Sequence, residues 1–433
     1  MKISGFSDFG LAEPIERALR ERKHSTPTPI QVRSIPDLIA GRDILGIAQT
    51  GTGKTAAFAL PILHKLSKKE GIKNSRNPQA LILAPTRELA IQIGEEFRLY
   101  SKFMHLRHTV IYGGVSQKAQ VNALQRGIDI LVATPGRLLD LMRQRVLKMG
   151  EVKYLVLDEA DRMLDMGFVR DVRKIIAALP QERQSLLFSA TMPGEVIRLS
   201  GELLYKPVRV EVTPQATPVE QVKQSVYHVD SSGKRALLEK LLSDPKFSRV
   251  LVFARTKHHA NRISLQLAKS GFESDAIHSN KSQGARQRAL QGFRSGAVRV
   301  LVATDIAARG IDVDRISHVI NYELPNEPGN YVHRIGRTAR AGATGVAISF
   351  CDGTERLYLR DIEQLINEKL TVIGDAPVGE PVKAPSKARK NYVGTGQKPK
   401  RTRKRSGRGV GHRKGQANQN RRSVRPKVFG KAA

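Results

Sequence analysis

The sequence predicts an α/β protein of two tandem lobes, each on a parallel sheet, followed by a disordered basic tail. Three observations carry this. Apolar runs recur in pairs at nearly constant offset, each run is apolar without polar alternation, and the positive charge is concentrated at one end. LILAPTRE begins at Leu81 and LVATPGR at Leu131, 50 residues later; LVFARTK begins at Leu251 and LVATDIAARG at Leu301, again 50 residues later. Such a spacing, met twice, implies one structural unit present twice.

Along the chain, DILGIA (43–48) is the first apolar run, and LILAPTRE follows it. TVIYGG (109–114) answers to DAIHSN (275–280), YLVLDEAD (154–161) to HVINYELP (318–325), and SLLFSAT (185–191) to GVAISF (345–350). Runs of four to six β-favouring residues with no polar alternation are what strands buried on both faces look like. Helical stretches separate them. In ELAIQIGEEF, Leu89, Ile93 and Phe97 recur at four-residue spacing, one helix face. Alternating strand and helix implies parallel sheets with right-handed crossovers. The join is expected in EVTPQATPVEQ (211–221), rich in Pro and Thr and poor in periodicity. Ligands in such sheets sit at the carboxyl ends of the strands, where the polar motifs fall.

The 433 residues suit two or three units, since single cores rarely exceed ~250–300 residues. The 73 basic and 40 acidic residues give +33, which implies a polyanionic partner. Residues 377–433 hold 18 Lys or Arg against one acid, Glu380, a net +17, with eight Gly and only Tyr392 and Phe429 as aromatics. That composition buries too little apolar surface to offset chain entropy, so the segment should be disordered. A single cysteine, Cys351, excludes a disulfide within the chain and fits a reducing compartment. The start, MKISGFSDFG, has no apolar core, and no run of 18 apolar residues occurs. The expectation is a soluble, cytoplasmic protein without membrane span.

AQTGTGKT, residues Ala48, Gln49, Thr50, Gly51, Thr52, Gly53, Lys54 and Thr55, stands between DILGIA and the helix-like AAFALPILHKL. Its glycines let the backbone close around phosphate oxygens, and the next helix aims its first amides at them. Lys54 would reach the outer phosphates and the Thr55 hydroxyl a Mg²⁺ ion. The usual pattern opens with Gly where Ala48 stands. YLVLDEADRMLD places Asp158, Glu159 and Asp161 within four positions. In phosphate-loop enzymes an Asp ending a buried strand holds Mg²⁺ and the next acid activates the attacking water, roles that suit Asp158 and Glu159. Asp161 either braces the site through hydrogen bonds to Ser189 and Thr191 of SAT or is exposed.

Together with PTRELA (85–90), TPGR (134–137), ATDIAARGID (303–312) and HRIGRTAR (333–340), these motifs resemble the DEAD-box RNA helicase family in the family's order over about residues 6–350. The resemblance implies two RecA-like lobes, residues 1–212 and 221–372, a linker at 213–220, and the tail from 373. It implies ATP and Mg²⁺ as cofactors and RNA as partner, single-stranded or in short duplexes with little sequence preference. TPTPIQ (26–31) is similar to the adenine-reading segment: Gln31 would grip the adenine edge and Phe6 stack on the base. Lys23 and His24 stand where the family usually has Gly and an aromatic. Asp312 would contact the ribose.

Arg337 and Arg340 lie three apart, one helical turn, so both can face the same phosphates as arginine fingers. Ala339 replaces a Gly more often found there. Pro85, Thr86, Arg87, Gly113, Gly114, Thr134, Pro135, Gly136 and Arg137 resemble the first lobe's RNA-backbone contacts; Arg255, Thr304 and Asp305 resemble the second's. Gly, Thr and Arg hold phosphates and sugars and leave base edges unread. VLVFARTKHHANRISLQLAKSG and IHSNKSQGARQRAL are most similar to the RhlE-like bacterial branch, which suggests ribosomal precursors or RNA-degradation proteins as partners. A DNA translocase would share the phosphate loop and arginines; DEAD with TPTPIQ argues against it.

Overall fold

The computed structural model describes residues 3–49, 51–68, 77–212, 222–308, 313, 316–338 and 345–374. The expected linker at 213–220 and the basic residues from 375 onward lie outside these, as do Thr50, Asp312 and Arg340.

The first sheet contains β1 (Ile44–Ile47), β2 (Ala80–Leu83), β3 (His108–Ile111), β4 (Ile130–Ala133), β5 (Tyr154–Leu157), β6 (Gln184–Ser189) and β7 (Val208–Glu211). The second contains β8 (Val222–His228), β9 (Val250–Phe253), β10 (Ser274–Ile277), β11 (Val300–Ala303), β12 (His318–Asn321), β13 (Gly345–Cys351) and β14 (Thr371–Val372). All pairings in both sheets are parallel. The strand orders are β3-β4-β2-β5-β6-β1-β7 and β10-β11-β9-β12-β13-β8-β14. Pairing β1 with β8, β2 with β9 and so on to β7 with β14 converts one order into the other, so the repeat read from the runs is a repeat of topology.

The continuous apolar runs follow from burial on both faces. Ile82 points into one core with Phe58, Phe97 and Phe188, whereas Leu81 and Leu83 point into the other with Leu131, Leu155 and Met163. In the second lobe Val252 and Leu251 divide the same way. The helix expected around ELAIQIGEEF spans Arg87–Tyr100 and buries Leu89, Ile93 and Phe97. Gly46 on β1 is needed because a Cβ there would collide with the Phe188 ring on neighbouring β6.

This order sorts chemistry across the first sheet. The phosphate loop leaves β1, DEAD leaves β5 and SAT leaves β6, three strands side by side. PTR leaves β2, Gly113-Gly114 follows β3 and TPGR leaves β4, on the other half.

Candidate functional site

The phosphate loop runs from β1 into the helix Lys54–Ser67 through Gly51 at φ 87° and Gly53 at φ 90°, left-handed conformations that favour glycine. The loop is clasped by the segment before it in sequence. Gln31 Nε2 donates to the Gly53 carbonyl at 3.0 Å, and Thr28 Oγ1 donates to the Thr52 carbonyl at 2.7 Å. The Thr28 amide donates to Gln31 Oε1 at 2.9 Å, which orients the Gln31 amide. Gln31, expected at the adenine edge, braces the phosphate loop in this structure.

Lys54 Nζ donates to the Ala48 carbonyl at 3.0 Å and lies 3.9 Å from Asp158 Oδ1. Asp158 and Glu159 are 2% and 3% exposed, so two carboxylates share a buried corner with one ammonium. Burial raises the Asp158 pKa from 3.8 to about 6; Lys54 offsets part of this and Glu159 adds to it. Glu159 itself has a left-handed backbone, φ 53° and ψ 53°, at the start of the helix Ala160–Asp165. Asp161 Oδ2 accepts from the Thr191 amide at 2.9 Å and the Thr191 hydroxyl at 2.8 Å, while the Asp161 amide donates to Ser189 Oγ at 3.2 Å. DEAD and SAT are therefore tied through Asp161.

A cavity of about 1440 Å³ is lined by Phe6, Gln31, Gly51, Gly53, Lys54, Thr55, Asp158 and Glu159, with Gln287, Gln291 and Arg294 of the helix Gln283–Ser295 on the second lobe's side. Arg337 is not among its lining residues. It lines a smaller crevice with Arg162, Asp305, His333 and Arg334, and its Nε donates to the His333 carbonyl at 3.2 Å.

The other half of the first sheet gathers the basic and glycine motifs. A Cβ at Gly114, φ 78°, would overlap the Arg87 guanidinium, so that turn lies directly against Arg87. Arg137 donates to Gln120 Oε1 at 3.1 Å and to the Val115 carbonyl at 3.3 Å, which joins TPGR to the same turn. Thr86 caps its helix by accepting from the Leu89 amide, Thr134 precedes the helix Pro135–Arg143, and Pro135 and Gly136 form its first turn.

In the second lobe Arg334 binds Asp305 at two points, 2.5 and 2.8 Å, and reaches Asn321 Oδ1 and the Glu323 carbonyl. Thr304, which precedes Asp305, accepts the Ala307 and Ala308 amides at its carbonyl. Arg255 pairs with fully buried Glu355, which also pairs with buried Lys234.

Three residues outside the expected set link the lobes. Arg286 Nη2 lies 3.0 Å from Glu88 Oε2, Gln283 Nε2 donates to Glu88 Oε1 at 3.1 Å, and Arg87 Nη1 donates to Gln283 Oε1 at 3.4 Å. The spacing of Gln283 and Arg286, one turn apart on a helix, was the available signal.

Comparison with known proteins shows the family. A family model described as DEAD/DEAH box helicase matches residues 28–199, and one described as Helicase conserved C-terminal domain matches 233–342. A protein named ATP-dependent RNA helicase CshA from Listeria monocytogenes is 42% identical over 368 residues, 85% of this chain and 70% of that protein. This chain belongs to the DEAD-box family of ATP-dependent RNA helicases. ATP-dependent RNA helicase DeaD from Buchnera aphidicola (subspecies Baizongia pistaciae) is 43% identical across 85% of this chain, which spans 60% of that relative. Among solved structures, S. cerevisiae Dbp5 bound to RNA and ADP BeF3 aligns with a TM-score of 0.76 at 32% identity, over 86% of this chain and 96% of that one. A DEAD-box protein from the hyperthermophile Methanococcus jannaschii aligns with a TM-score of 0.51 at 37% identity, over 86% and 100%. Among the described residues of the helicase, no helix is long and apolar enough to cross a membrane.

Proposed function

We propose that this chain hydrolyses ATP in response to RNA and uses that cycle to open short RNA duplexes or remodel RNA–protein complexes. The observation that carries this is the joint placement of Lys54, Asp158 and Glu159 in one cavity, with the Arg87–Gly114–Arg137 cluster on the other half of the same sheet. ATP lies with its phosphates on residues 48–55, its base by Phe6 and Gln31, and its ribose by Asp312. Glu159 takes a proton from the attacking water. Arg337 and Arg340 reach the transferring phosphate when RNA and ATP, each touching both lobes, favour closure.

The residues fit Mg²⁺. Two buried carboxylates face one ammonium, and no cluster of three or more His, Cys, Asp or Glu among the described residues would hold a metal alone. That donor set suits an ion shared with substrate phosphates, through Asp158 and Thr55. When bound, the ion neutralises charge on the phosphates. RNA runs over Pro85–Arg87, Gly113, Gly114 and Thr134–Arg137, then Arg255, Thr304 and Asp305, with little sequence preference.

The branch reading is RhlE-like, supported by VLVFARTKHHANRISLQLAKSG and IHSNKSQGARQRAL, and goes with a cytoplasmic site of action on ribosomal precursors or beside RNA-degradation proteins. The deciding experiment measures ATP hydrolysis without nucleic acid, with RNA and with matched DNA. Stimulation by RNA alone is expected; equal stimulation by DNA would overturn the RNA assignment.

A further inference from the structure

The helix Glu13–Glu21 closes on two hydrogen bonds: the Lys23 amide donates to the Arg20 carbonyl and the His24 amide to the Leu19 carbonyl, both at 3.0 Å. That closure needs a left-handed residue just past the helix, a place glycine ordinarily takes. Here the residue is Lys23, at φ 56°. A Cβ is disfavoured in that conformation.

Its neighbours hold it there. Arg22 pairs with Glu96 at two points, each 2.9 Å, and its guanidinium carbon lies 4.6 Å from the centre of the Tyr100 ring. The His24 ring centre is 6.3 Å from that of the same Tyr100. The helix Arg87–Tyr100 thus contacts the residues on both sides of Lys23 through the side chains of Arg22 and His24. Arg145 closes the helix Pro135–Arg143 in the same way, at φ 57°, so it is the place of the Lys23 side chain and not the turn alone that sets Lys23 apart.

The Lys23 side chain is not used to build the turn. Among the described residues its ammonium has no hydrogen-bond or ion-pair partner. It lines the cavity that Phe6, Gln31 and Lys54 line. The Phe6 turn abuts this segment, since a Cβ on Gly5 would lie 3.7 Å from the Ser25 carbonyl. His24 lines the cavity as well, but partial desolvation and the charge of Arg22 lower its pKa, so Lys23 is the stronger cation of the pair.

We propose that Lys23 is a nucleotide-recognition residue whose ammonium sits against the purine ring of the bound nucleotide, a cation–π contact beside Phe6. This rests on the reading of the cavity as an adenine-nucleotide site. The turn leaves a cation at the cavity wall, which glycine in its place would not supply.

The test uses the full chain as wild type, Lys23→Gly and Lys23→Arg. Thermal melting is followed, and binding of ATP, ADP and adenosine is measured by calorimetry. Lys23→Gly should melt higher, because the strained turn is relieved, and yet bind all three ligands about two- to five-fold more weakly, the size of an exposed cation–π contact. Lys23→Arg should keep wild-type affinity. Unchanged binding by Lys23→Gly would overturn the proposal. So would a loss that grows from adenosine to ATP and vanishes in salt, which marks an ammonium acting only on phosphates. A wild-type chain that binds no ATP would overturn the site reading itself; equal binding by wild type and Lys23→Gly would overturn only the role of Lys23.

Discussion

Glu159 carries its carboxylate on a left-handed backbone, the one such non-glycine residue of the DEAD segment. Its own amide donates to Asp158 Oδ1 at 2.9 Å, so the two acids are locked as a pair. Glu159→Gln keeps the shape and removes the base. It should bind ATP and RNA as wild type does while turnover falls about 10²–10⁴-fold, the usual worth of general-base catalysis. Single-turnover hydrolysis at the wild-type rate would dismiss Glu159 as the base. Asp158 gives a second residue-scale test. Its folded-state pKa, about 6, stands above the ordinary 3.8, so the native protein holds this proton more tightly than the unfolded chain. Stability from this group is therefore present below about pH 4 and lost as pH rises toward 6. Without nucleotide or divalent ion, Asp158→Asn should be more stable than wild type at pH 7 by roughly 1–3 kcal/mol. The gap should close toward pH 4 in urea melts. A gap that ignores pH would mean that the substitution acts through packing or hydrogen bonding and not through the Asp158 proton.

At the scale of elements, the phosphate loop depends on the segment that clasps it. A Cβ on Gly53 would overlap the Gln31 amide and come within 2.9 Å of Thr28 Oγ1, and the φ of 90° disfavours any side chain. Gly53→Ala should leave the fold intact, break the clasp and weaken ATP binding at least about ten-fold, a loss of ~1.4 kcal/mol or more. Wild-type affinity in that variant would show that the clasp is dispensable. The elements themselves were legible in sequence for a physical reason: strands buried on both faces leave continuous apolar runs, and the fixed offset of two such runs exposed the repeat. The strand order was not, because hydrogen bonding between β1 and β6 leaves no local mark on either. Nor were the bonds that occupy motif side chains. The string ATDIAARG does not say that Arg334 will hold the Asp305 carboxylate, and TPTPIQ does not say that Gln31 will brace Gly53. The Glu88–Arg286 pair joins residues nearly 200 positions apart. Sequence periodicity reaches one helix or strand, and that contact belongs to the packing of two lobes.

At the scale of the whole molecule, the charge is divided unequally: residues 377–433 carry +17 of the +33. The described lobes place the nucleotide cavity and the Arg87–Gly114–Arg137 surface without any of those residues, so a chain ending at Asp375 should fold and retain its ATP site. The removed segment's 18 basic residues can neutralise phosphates and release counterions, at a slope of ~0.7 per single-strand contact. A tethered basic segment also raises the local concentration of RNA near the lobes. Truncation should therefore raise the RNA concentration needed for half-maximal ATPase and flatten its salt dependence, while the rate at saturating RNA stays near that of the full chain. The alternative is a segment that keeps the protein in solution or binds another protein. Titrating RNA at several salt concentrations against both chains separates the two. Identical half-saturation points with identical salt slopes would remove the RNA-tether role. A lower saturated rate in the truncated chain would instead place part of the tail within the catalytic cycle.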